Sequence, residues 1–600
     1  MLKNKPLFKW ASMIAIATML LTACSPAATP APTQPAAAPT PTAAAAQPTA
    51  TTAASTAATP TAAATSVATS AATSAVTAAP TMAAATGAPG GTLRWSLEGI
   101  NELPAMDPPL AGASQSVGVI SLVFEGLVRL DSSLNIAPAG AESWDVKDGG
   151  KTFIFHIRKG LKFANGDPVT AEDFSYSLNR AFGADFANGN AGYYLSNIVG
   201  STDVTNGKAK TISGVKVIDP QTLEIDLTNP SVYFLYQLTF PASFVVPKSA
   251  VDASPKSWTD KAYGTGPFMV QEWKHNQSIT LVPNPNYWLG KPQLAQIQMP
   301  FIQDPATALK LYQTGELDIM GTYNFPTDQI ASVASSADFH QVNQFFVTYI
   351  GFNDVKSPFK DVRVRQAFAK AVDKETLINK VLEGAVVQSD TIIPPGMPGY
   401  NKDAGKIQGY DVTAAQKLLA DAGFPGGKNF PKVALSINNQ DPNYAKIAAA
   451  LQQMWSENLG VTVDINTEEL AKFNDDLTAL ANKPDAPAAF NFFISVWGAD
   501  YPDPQNFVSQ QLRTGVGNNN GHYSNPQFDK LVDQADVETD SAKRLQLYQQ
   551  AEQIALTEVG WLPLYYGKAD ILLRSSVQGL VITPQGILPK DDWTKVTVSK

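Results

Sequence analysis

The regular alternation of strand and helix patterns over residues 431–498 places the strongest constraint on the fold. Three strand-like runs alternate with two amphipathic helices, in the order "KVALSIN", "DPNYAKIAAALQQMWSENLG", "VTVDINTEE", "ELAKFNDDLTALA" and "FNFFISVW". Asp441 suits the N-cap of the first helix, Pro442 its first turn and Gly460 its end. This β-α-β-α-β order favours a doubly wound parallel sheet, in which ligands bind beyond the carboxyl ends of the strands.

The segment "WGADYPDP" begins where the last of these strands ends. Trp497, Asp500, Tyr501 and Asp503 are therefore predicted at the sheet edge where a ligand would bind. Asp and Pro also favour turns for local reasons, so on residue types alone a turn has more support than a ligand site. Asp500 and Asp503 could form a carboxylate pair, but nothing in a Pro-rich loop makes their side chains converge.

Residues 91–345 have a different organisation, with mostly strand and turn patterns and few helices. The stretch "KTFIFHIRKGLKF" alternates apolar and polar residues, as a half-buried strand does, and the turn "ANGDP" follows it. The stretch "TAEDFSYSLNRAF" predicts a helix with Thr170 as its cap and Asp173 three residues on. A hairpin around Asp219 and Pro220 is predicted in "VKVIDPQTLEIDL".

The N-terminus has the pattern of a bacterial lipoprotein signal. Residues 1–23 combine the basic "MLKNKPLFKW" with the short apolar "ASMIAIATML", and "LTAC" ends the pattern at Cys24, which is the single cysteine of the chain. We therefore interpret Cys24 as a lipid acceptor instead of a structural thiol, and disulfides within a monomer are excluded. Residues 24–90 form a linker of almost only Ala, Thr, Pro and Ser, which predicts a disordered stalk spanning roughly 40 to 50 Å.

Composition and motifs exclude several classes of function. The formal charge is −9 and becomes −12 without the three lysines of the leader, so a nucleic-acid partner is not expected. The four histidines are scattered without metal-ligand spacing, and no H-E-x-x-H or G-x-S-x-G motif occurs. We therefore expect no catalytic site, no metal and no cofactor.

Nearly the whole folded chain, from about residue 91 to 595, resembles a known family of binding proteins. The matching stretches include "LVFEGLVRLD", "FANGDPVTAEDFSYSLNR", "GTGPFMVQEW", "LVPNPNYW", "TGELDI", "SPFKDVRVRQAFAKAVDKE" and "WGADYPDPQNF". In this order they are similar to the extracytoplasmic solute-binding proteins of the peptide/oligopeptide/nickel type, family 5, which serve ABC importers.

The resemblance implies an α/β, two-lobed periplasmic-binding-protein-like fold of type II, in the large cluster with an extra domain. Lobe I would combine residues 91–131, 265–345 and 562–600, and the additional domain, 132–264, would be inserted in it. Lobe II would cover 346–561. A hinge would join the lobes near "TYIGFN" and "WLPLYY".

The function implied by the resemblance is solute capture without catalysis. The chain would bind peptides in the cleft between the lobes and deliver them to an ABC permease and ATPase complex. It would act as a monomer that is lipid-anchored to the outer face of the cytoplasmic membrane. The same fold takes oligosaccharides, opines or metal complexes in other relatives, and a sensor or chaperone-like role without transport also stays open.

The site residues implied by the resemblance centre on the "WGADY" motif. In peptide-binding relatives an aspartate in this motif takes the α-ammonium group of the peptide, which corresponds to Asp500. An aromatic residue three positions earlier lines a side-chain pocket, which corresponds to Trp497, although Trp497 could equally be a core residue. Tyr501 is a neighbouring ligand-binding candidate. Gly112 and Ser114 match the stretch that supplies strand contacts to the ligand, and an ordinary loop is equally supported there.

The residue that would hold the carboxylate of a peptide is not identified by the motif match. Arg513 and Lys356 are candidates, but a solvated surface charge is the better interpretation of each.

The lipoprotein pattern generates a first prediction. Replacing the lipid acceptor, Cys24→Ala, should leave an uncleaved or soluble protein, because the anchor can no longer be attached. Detergent partitioning of wild type and variant measures this. If wild type and variant both enter the aqueous phase, Cys24 carries no lipid.

Overall fold

The fold is seen in a computed structural model, which describes residues 90–187, 189–439, 441–486, 489–586 and 592–599. The predictions on the leader, on Cys24 and on the stalk up to residue 89 lie outside these residues. Among the helices of the described part, none is long and apolar enough to cross a membrane.

Most strands of the described part are short, and two are much longer than the rest. They are β1 Thr92–Arg94, β2 Leu97–Glu98, β3 Val128–Leu130, β4 Ile136–Pro138, β5 Ala141–Lys147, β6 Thr152–Ile157, β7 Val215–Asp219, β8 Thr222–Asp226, β9 Phe268–Lys274, β10 Ser278–Pro283, β11 Gln296–Ile302, β12 Ile319–Met320, β13 Phe339–Phe352, β14 Val387–Gln388, β15 Val433–Asn438, β16 Val463–Glu468, β17 Phe492–Gly498, β18 Trp561–Leu573, β19 Val577–Gln578 and β20 Thr597–Val598.

The α-helices lie mainly in the second half of the chain. They are α1 Ser114–Val123, α2 Ala171–Ala181, α3 Ala191–Tyr194, α4 Ser201–Thr205, α5 Phe234–Gln237, α6 Lys248–Ala253, α7 Pro305–Gln313, α8 Ile330–Val333, α9 Val362–Lys370, α10 Lys374–Thr376, α11 Val412–Asp421, α12 Pro442–Leu459, α13 Leu470–Asn482, α14 Ser509–Leu512, α15 Pro526–Val537 and α16 Ser541–Thr557.

Three larger sheets organise the described part, beside two two-stranded ones, β3-β4 and β19-β20. One has the strand order β1-β11-β10-β9, with β2 also paired to β11. A second, antiparallel sheet has the order β5-β6-β8-β7. The third has the order β12-β18-β13-β17-β15-β16, with β14 also paired to β18. The first two sheets each pack against one main cluster of buried side chains, whereas the third sheet contributes to several clusters.

The third sheet contains the predicted β-α-β-α-β unit. Strands β16 and β17 both run parallel to β15, with Val433 opposite Val463 and Leu435 opposite Phe492. Asp441 caps α12, and Gly460 ends it with a left-handed backbone at φ +68°. The unit is therefore confirmed, but the sheet as a whole is mixed, because β17 runs antiparallel to β13.

The two helices of this unit cover opposite faces of the sheet. Trp455 of α12 packs in one core with Phe492, and its indole N–H donates to the carbonyl of Phe368 at 3.0 Å. Phe473 of α13 packs in another core with Phe493, which points to the other face of β17 because side chains alternate along a strand. The sheet is thus doubly wound, as the sequence predicts.

The patterns predicted in the first half of the chain are also confirmed. Thr170 and Asp173 form a capping box at the start of α2, in which each side chain binds the backbone of the other residue. Strands β7 and β8 form the hairpin around Asp219 and Pro220. In β6, burial alternates from Phe153 to Ile157, as expected for a strand with one buried face.

The long strands β13 and β18 pair antiparallel with each other along most of their length. Their register shifts between Asn343 and Val347, opposite Lys568 and Tyr566. Side chains on the two sides of this irregularity enter different cores, so the pair connects parts of the protein that are otherwise packed separately.

The end of α12 provides a prediction on stability. A Cβ atom at Gly460 would lie 2.7 Å from the carbonyl oxygen of Gly426, whereas at Gly515, with φ +81°, it would meet nothing within 4 Å. A left-handed backbone costs an L-residue about 1 to 2 kcal/mol, and the close contact adds a steric cost. We expect Gly515→Ala to lower the free energy of unfolding by about 1 kcal/mol and Gly460→Ala by clearly more.

Chemical denaturation of both variants, followed by circular dichroism, measures this difference. Gly515→Ala is the matched control, since it carries the backbone cost without the contact. Equal losses in the two variants would mean that the contact with Gly426 relaxes freely.

Candidate functional site

Asp500 lies just beyond the carboxyl end of β17 and is held there by one buried amide. The side chain of Asn506 accepts from the backbone N–H of Asp500 at 3.0 Å and donates to its Oδ2 at 3.0 Å. The same amide oxygen accepts from the indole N–H of Trp497 at 3.3 Å. The two residues of the predicted site are therefore brought together, and Trp497 is partly buried against the core next to α13.

Asp503 has a different, structural role. Its carboxylate forms a bidentate pair with the guanidinium group of Arg544, at 2.6 and 2.8 Å, and both side chains are buried. It also accepts from the backbone N–H of Gln505 at 2.9 Å. The two aspartates of the motif thus do not converge as a pair, because Asp503 is already neutralised by a cation and is used to shape the turn.

Asp500 is left without such a cation. No salt bridge of the described residues includes it. Burial raises the pKa of its carboxyl group to about 6, and hydrogen bonds from Asn506 and from the hydroxyl group of Tyr194 partly oppose the rise. A partly buried carboxylate that is bonded only to neutral groups is a favourable site for an ammonium or guanidinium group.

The hydroxyl group that reaches Asp500 comes from a segment about 300 residues earlier in the chain. Tyr194 ends α3, and its ring stacks on Phe240 with centroids 4.0 Å apart. The adjacent Tyr193 accepts a hydrogen bond from Asn518 at 2.5 Å. Sequence analysis missed both tyrosines, because no local pattern links α3 to the "WGADY" motif.

Tyr501 is packed in a core, and its role as a ligand contact stays a prediction. Its side chain is fully buried in the cluster formed mainly by residues 127–245. Its hydroxyl group binds the amide oxygens of Gln505 at 2.5 Å and Gln510 at 2.9 Å. Residue type alone did not reveal this, since a tyrosine beside a binding motif can pack or bind.

Gly112 and Ser114 are exposed at the start of α1. The carbonyl group of Ala111 accepts from the side chain of Asn190 at 2.8 Å, and Asn190 immediately precedes α3. This contact brings the segment close to the helix that carries Tyr194. Their role as ligand contacts stays a prediction.

The candidates for binding a ligand carboxylate are engaged elsewhere. Arg513 is paired with Asp533 at 2.6 Å on the surface. The ammonium group of Lys356 donates to the carbonyl group of Ala489 at 2.9 Å. Their role as carboxylate ligands stays a prediction.

A cavity of about 670 Å³ lies between two distant segments of the chain. One wall comes from residues 304–328, and the other comes from the carboxyl end of β15, the start of α12, α13 and β17. It is lined by Asp304, Pro305, Ala306, Tyr323, Asn324, Phe325, Pro326, Thr327, Asp328, Asn438, Asp441, Asn443, Tyr444, Leu470, Phe473, Asn474, Ser495 and Val496. Trp497 directly follows the last of these, so the cavity and the "WGADY" motif share strand β17.

Only part of this lining could be foreseen. The rule that ligands bind at the carboxyl ends of parallel strands points to Asn438 and Asp441. The residues 304–328 follow β11 of a different sheet, and no pattern in the sequence joins them to β15. Among the described residues, no group of three or more His, Cys, Asp or Glu could hold a metal ion.

The raised pKa of Asp500 predicts a pH-dependent stability. The folded protein holds the proton of this carboxyl group up to about pH 6, while the unfolded chain releases it near pH 4. The free energy of unfolding therefore increases as the pH falls from 7 to 4, by on the order of 3 kcal/mol in total. The same contribution is lost again as the pH rises through 6. We expect wild type to become more stable relative to Asp500→Asn as pH falls, because Asn does not titrate.

Calorimetric melting of the ligand-free proteins at pH 7, 6, 5 and 4 measures this. Asp464→Asn, which removes an exposed carboxylate of β16, serves as the control. A constant difference between wild type and Asp500→Asn at all four pH values would contradict the prediction.

Comparison with known sequences gives extended matches. Residues 135–519 match the family described as bacterial extracellular solute-binding proteins, family 5 Middle. The chain is 32% identical to the oligopeptide-binding protein OppA of Bacillus subtilis, over 80% of this chain and 89% of that protein. It is 31% identical to the periplasmic oligopeptide-binding protein OppA of Escherichia coli, over 80% of this chain and 88% of that protein.

Solved structures agree with these matches. The murein tripeptide-binding protein MppA of Escherichia coli has a TM-score of 0.69 at 27% identity, and the match covers 85% of this chain and 98% of that one. Haemophilus influenzae OppA in complex with the peptide RPPGFSPFR has a TM-score of 0.67 at 25% identity, and the match covers 85% of this chain and 99% of that one. The fold is thus the predicted two-lobed α/β fold of type II, and the chain belongs to family 5 of the bacterial extracellular solute-binding proteins.

Proposed function

We propose that this protein is the substrate-binding component of an ABC importer and that it captures peptides for delivery to the permease and ATPase. The observation that carries the proposal is the Asp500 carboxylate, which is desolvated and bonded only to neutral groups. A peptide is a ligand whose α-ammonium group would supply the missing positive charge. The protein would bind its solute without chemical conversion.

The contacts around Asp500 suit an ammonium group. Asn506 donates to one lone pair of Oδ2, and Tyr194 supplies a neutral hydroxyl group. Other lone pairs of the carboxylate therefore remain available as acceptors. The indole of Trp497, fixed by the same Asn506, would flank the first side chain of the peptide. Gly112 and Ser114 would contribute backbone contacts, in the manner of an added strand that tolerates different side chains.

We further propose that residues 91–131, 265–345 and 562–600 form lobe I, with 132–264 as its additional domain, and that 346–561 form lobe II. Strands β13 and β18 would connect the lobes, with the bending point at the register shift near Asn343. A ligand that contacts both lobes would favour the closed form by as much as it binds that form more tightly.

The proposed location is outside the cytoplasm, with a monomeric protein anchored by lipid on Cys24 to the outer face of the cytoplasmic membrane. The lipoprotein pattern of residues 1–24 and the stalk composition support this. The stalk would keep the binding domain near its permease.

A non-peptide solute is the second candidate. It is favoured by the range of ligands named for relatives, since the chain is also 32% identical to a probable deoxycholate-binding protein of Escherichia coli and 29% identical to a heme-binding protein of Haemophilus influenzae. An uncharged solute such as an oligosaccharide would not need the Asp500 charge, and an opine or a metal complex is a further non-peptide candidate. The same experiment therefore separates the two candidates.

The proposal predicts a large loss of affinity in Asp500→Asn. Removing one member of a buried charge pair costs roughly 2 to 5 kcal/mol, which corresponds to a roughly 30-fold to several thousand-fold weaker binding of a free peptide. Calorimetry should compare a free peptide with its N-acetylated form, because acetylation removes the same charge from the ligand.

In the resulting double-mutant cycle, the two losses should be strongly non-additive, since each deletes one half of the same pair. Asp464→Asn is again the matched control and should bind like wild type. Normal binding of the free peptide by Asp500→Asn, or no effect of acetylation on wild type, would rule out the ammonium role and favour the non-peptide solute.

A further inference from the structure

The buried amide of Asn506 has every one of its hydrogen-bonding positions in use. Its oxygen accepts from the backbone N–H of Asp500 at 3.0 Å and from the indole N–H of Trp497 at 3.3 Å. Its nitrogen donates to Oδ2 of Asp500 at 3.0 Å and to the side-chain oxygen of Gln510 at 3.4 Å. A side-chain amide has two acceptor and two donor positions, so none is left for a ligand.

The orientation of this amide is fixed by the fold. Asn506 is fully buried and ends the short helical turn Pro504–Asn506. This turn begins at Asp503, which the guanidinium group of Arg544 holds at 2.6 and 2.8 Å. The amide cannot exchange its oxygen and nitrogen, because the backbone N–H of Asp500 needs an acceptor and the carboxylate needs a donor. A donor therefore faces the carboxylate before any ligand arrives.

The hydrogen bond from Asn506 bears on the charge of Asp500. A donor that binds a carboxylate stabilises its ionised form. Burial raises the pKa of Asp500 to about 6, and the bond from Asn506 acts in the opposite direction. An ammonium group pairs with the ionised carboxylate, so without Asn506 this pairing would be lost at a higher pH.

The other titratable groups around Asp500 keep one protonation state between pH 5 and 7. Three phenols lie close enough for the charge of the carboxylate to affect them, those of Tyr193, Tyr194 and Tyr501. Burial raises the pKa of each phenol above its ordinary value, so all three stay neutral. The guanidinium group of Arg544 stays charged at any such pH. A change in binding over this range therefore reports on Asp500 itself.

We infer that Asn506 is a positioning residue, which holds the Asp500 carboxylate for the peptide and sets the lower pH limit of peptide capture. The inference rests on the proposed function and adds a dependence on pH to it. Asn506 acts through Asp500 and does not touch the peptide, since its amide is fully buried and fully bonded within the protein.

The test measures the affinity of the whole protein for an alanine tripeptide and an alanine pentapeptide, both with free termini. Calorimetry is run from pH 5 to 7, where the α-ammonium group of the peptide keeps its charge. We expect wild type to bind roughly 10-fold more weakly at pH 5 than at pH 7, with a midpoint near 6. In Asn506→Leu, which keeps the branching of the side chain, the midpoint should rise by about one pH unit, because a hydrogen bond to a charged group is lost.

The matched control is Gln505→Leu, the same substitution at the preceding position. Gln505 is also buried, and its side-chain oxygen accepts from the hydroxyl group of Tyr501. The variant therefore damages the same helical turn without removing a donor from Asp500. We expect it to lower the melting temperature and to keep the wild-type midpoint of the pH profile.

The outcomes separate the inference from the proposed function. If Asn506→Leu binds more weakly by one factor at every pH, with the wild-type midpoint, its role is only structural and the inference is overturned. An equal shift in Gln505→Leu, or wild-type binding that does not weaken down to pH 5, overturns it too and leaves peptide capture standing. If neither peptide binds to wild type at any pH, peptide capture itself fails.

Folding of the variants is checked by circular dichroism. Asn506→Ala, which cannot overpack the turn, carries the test if Asn506→Leu does not fold, and the same rise of the midpoint is expected. If neither variant folds, Asn506 is required for the turn as a whole, and its assignment as a positioning residue is overturned.

Discussion

The antiparallel pairing of β13 with β18 is the constraint on which the rest of the structure depends. Along β13, Phe339 packs in the core beneath α7, Phe345 in the core with α13 and Ile350 in the core with α12. One pair of continuous strands therefore joins cores that are otherwise separate. The register of this pair shifts between Asn343 and Val347 and again between Thr348 and Tyr349, and each shift interrupts the ladder of strand hydrogen bonds.

Asp500 and Asp503 lie in one turn but have different partners. The charge of Asp503 is offset by Arg544 in a buried bidentate pair, which fixes the shape of the turn. Asp500, three residues earlier, has no cation and keeps a desolvated charge. Such a charge destabilises the ligand-free protein, and the same free energy becomes available when a cation binds. The pair of Asp503 with Arg544 holds the turn that carries the Asp500 carboxylate in position.

The sequence predicts those features that are encoded locally and misses those that depend on distant segments. The cap at Asp441, the end of α12 at Gly460 and the capping box at Thr170 are each defined by a few adjacent residues, and all are confirmed. The side-chain hydrogen bond between Tyr194 and Asp500 joins residues about 300 positions apart, and no periodicity in the sequence predicts it. The burial of Tyr501 could not be predicted for the same reason, since the core that buries it comes mainly from residues 127–245.

A raised pKa alone does not identify the site. Burial also raises the pKa of Glu98 to about 7, of Asp536 to about 6 and of Glu552 to about 8. Each of these groups accepts hydrogen bonds that fix backbone or side chains of its own neighbourhood; Glu552, for example, holds two successive backbone N–H groups at 2.8 Å. Asp500 differs because it lies just beyond the carboxyl end of β17, the strand that lines the cavity. The position of Asp500 at the edge of the sheet, more than its raised pKa, is the reason to propose it as the binding carboxylate.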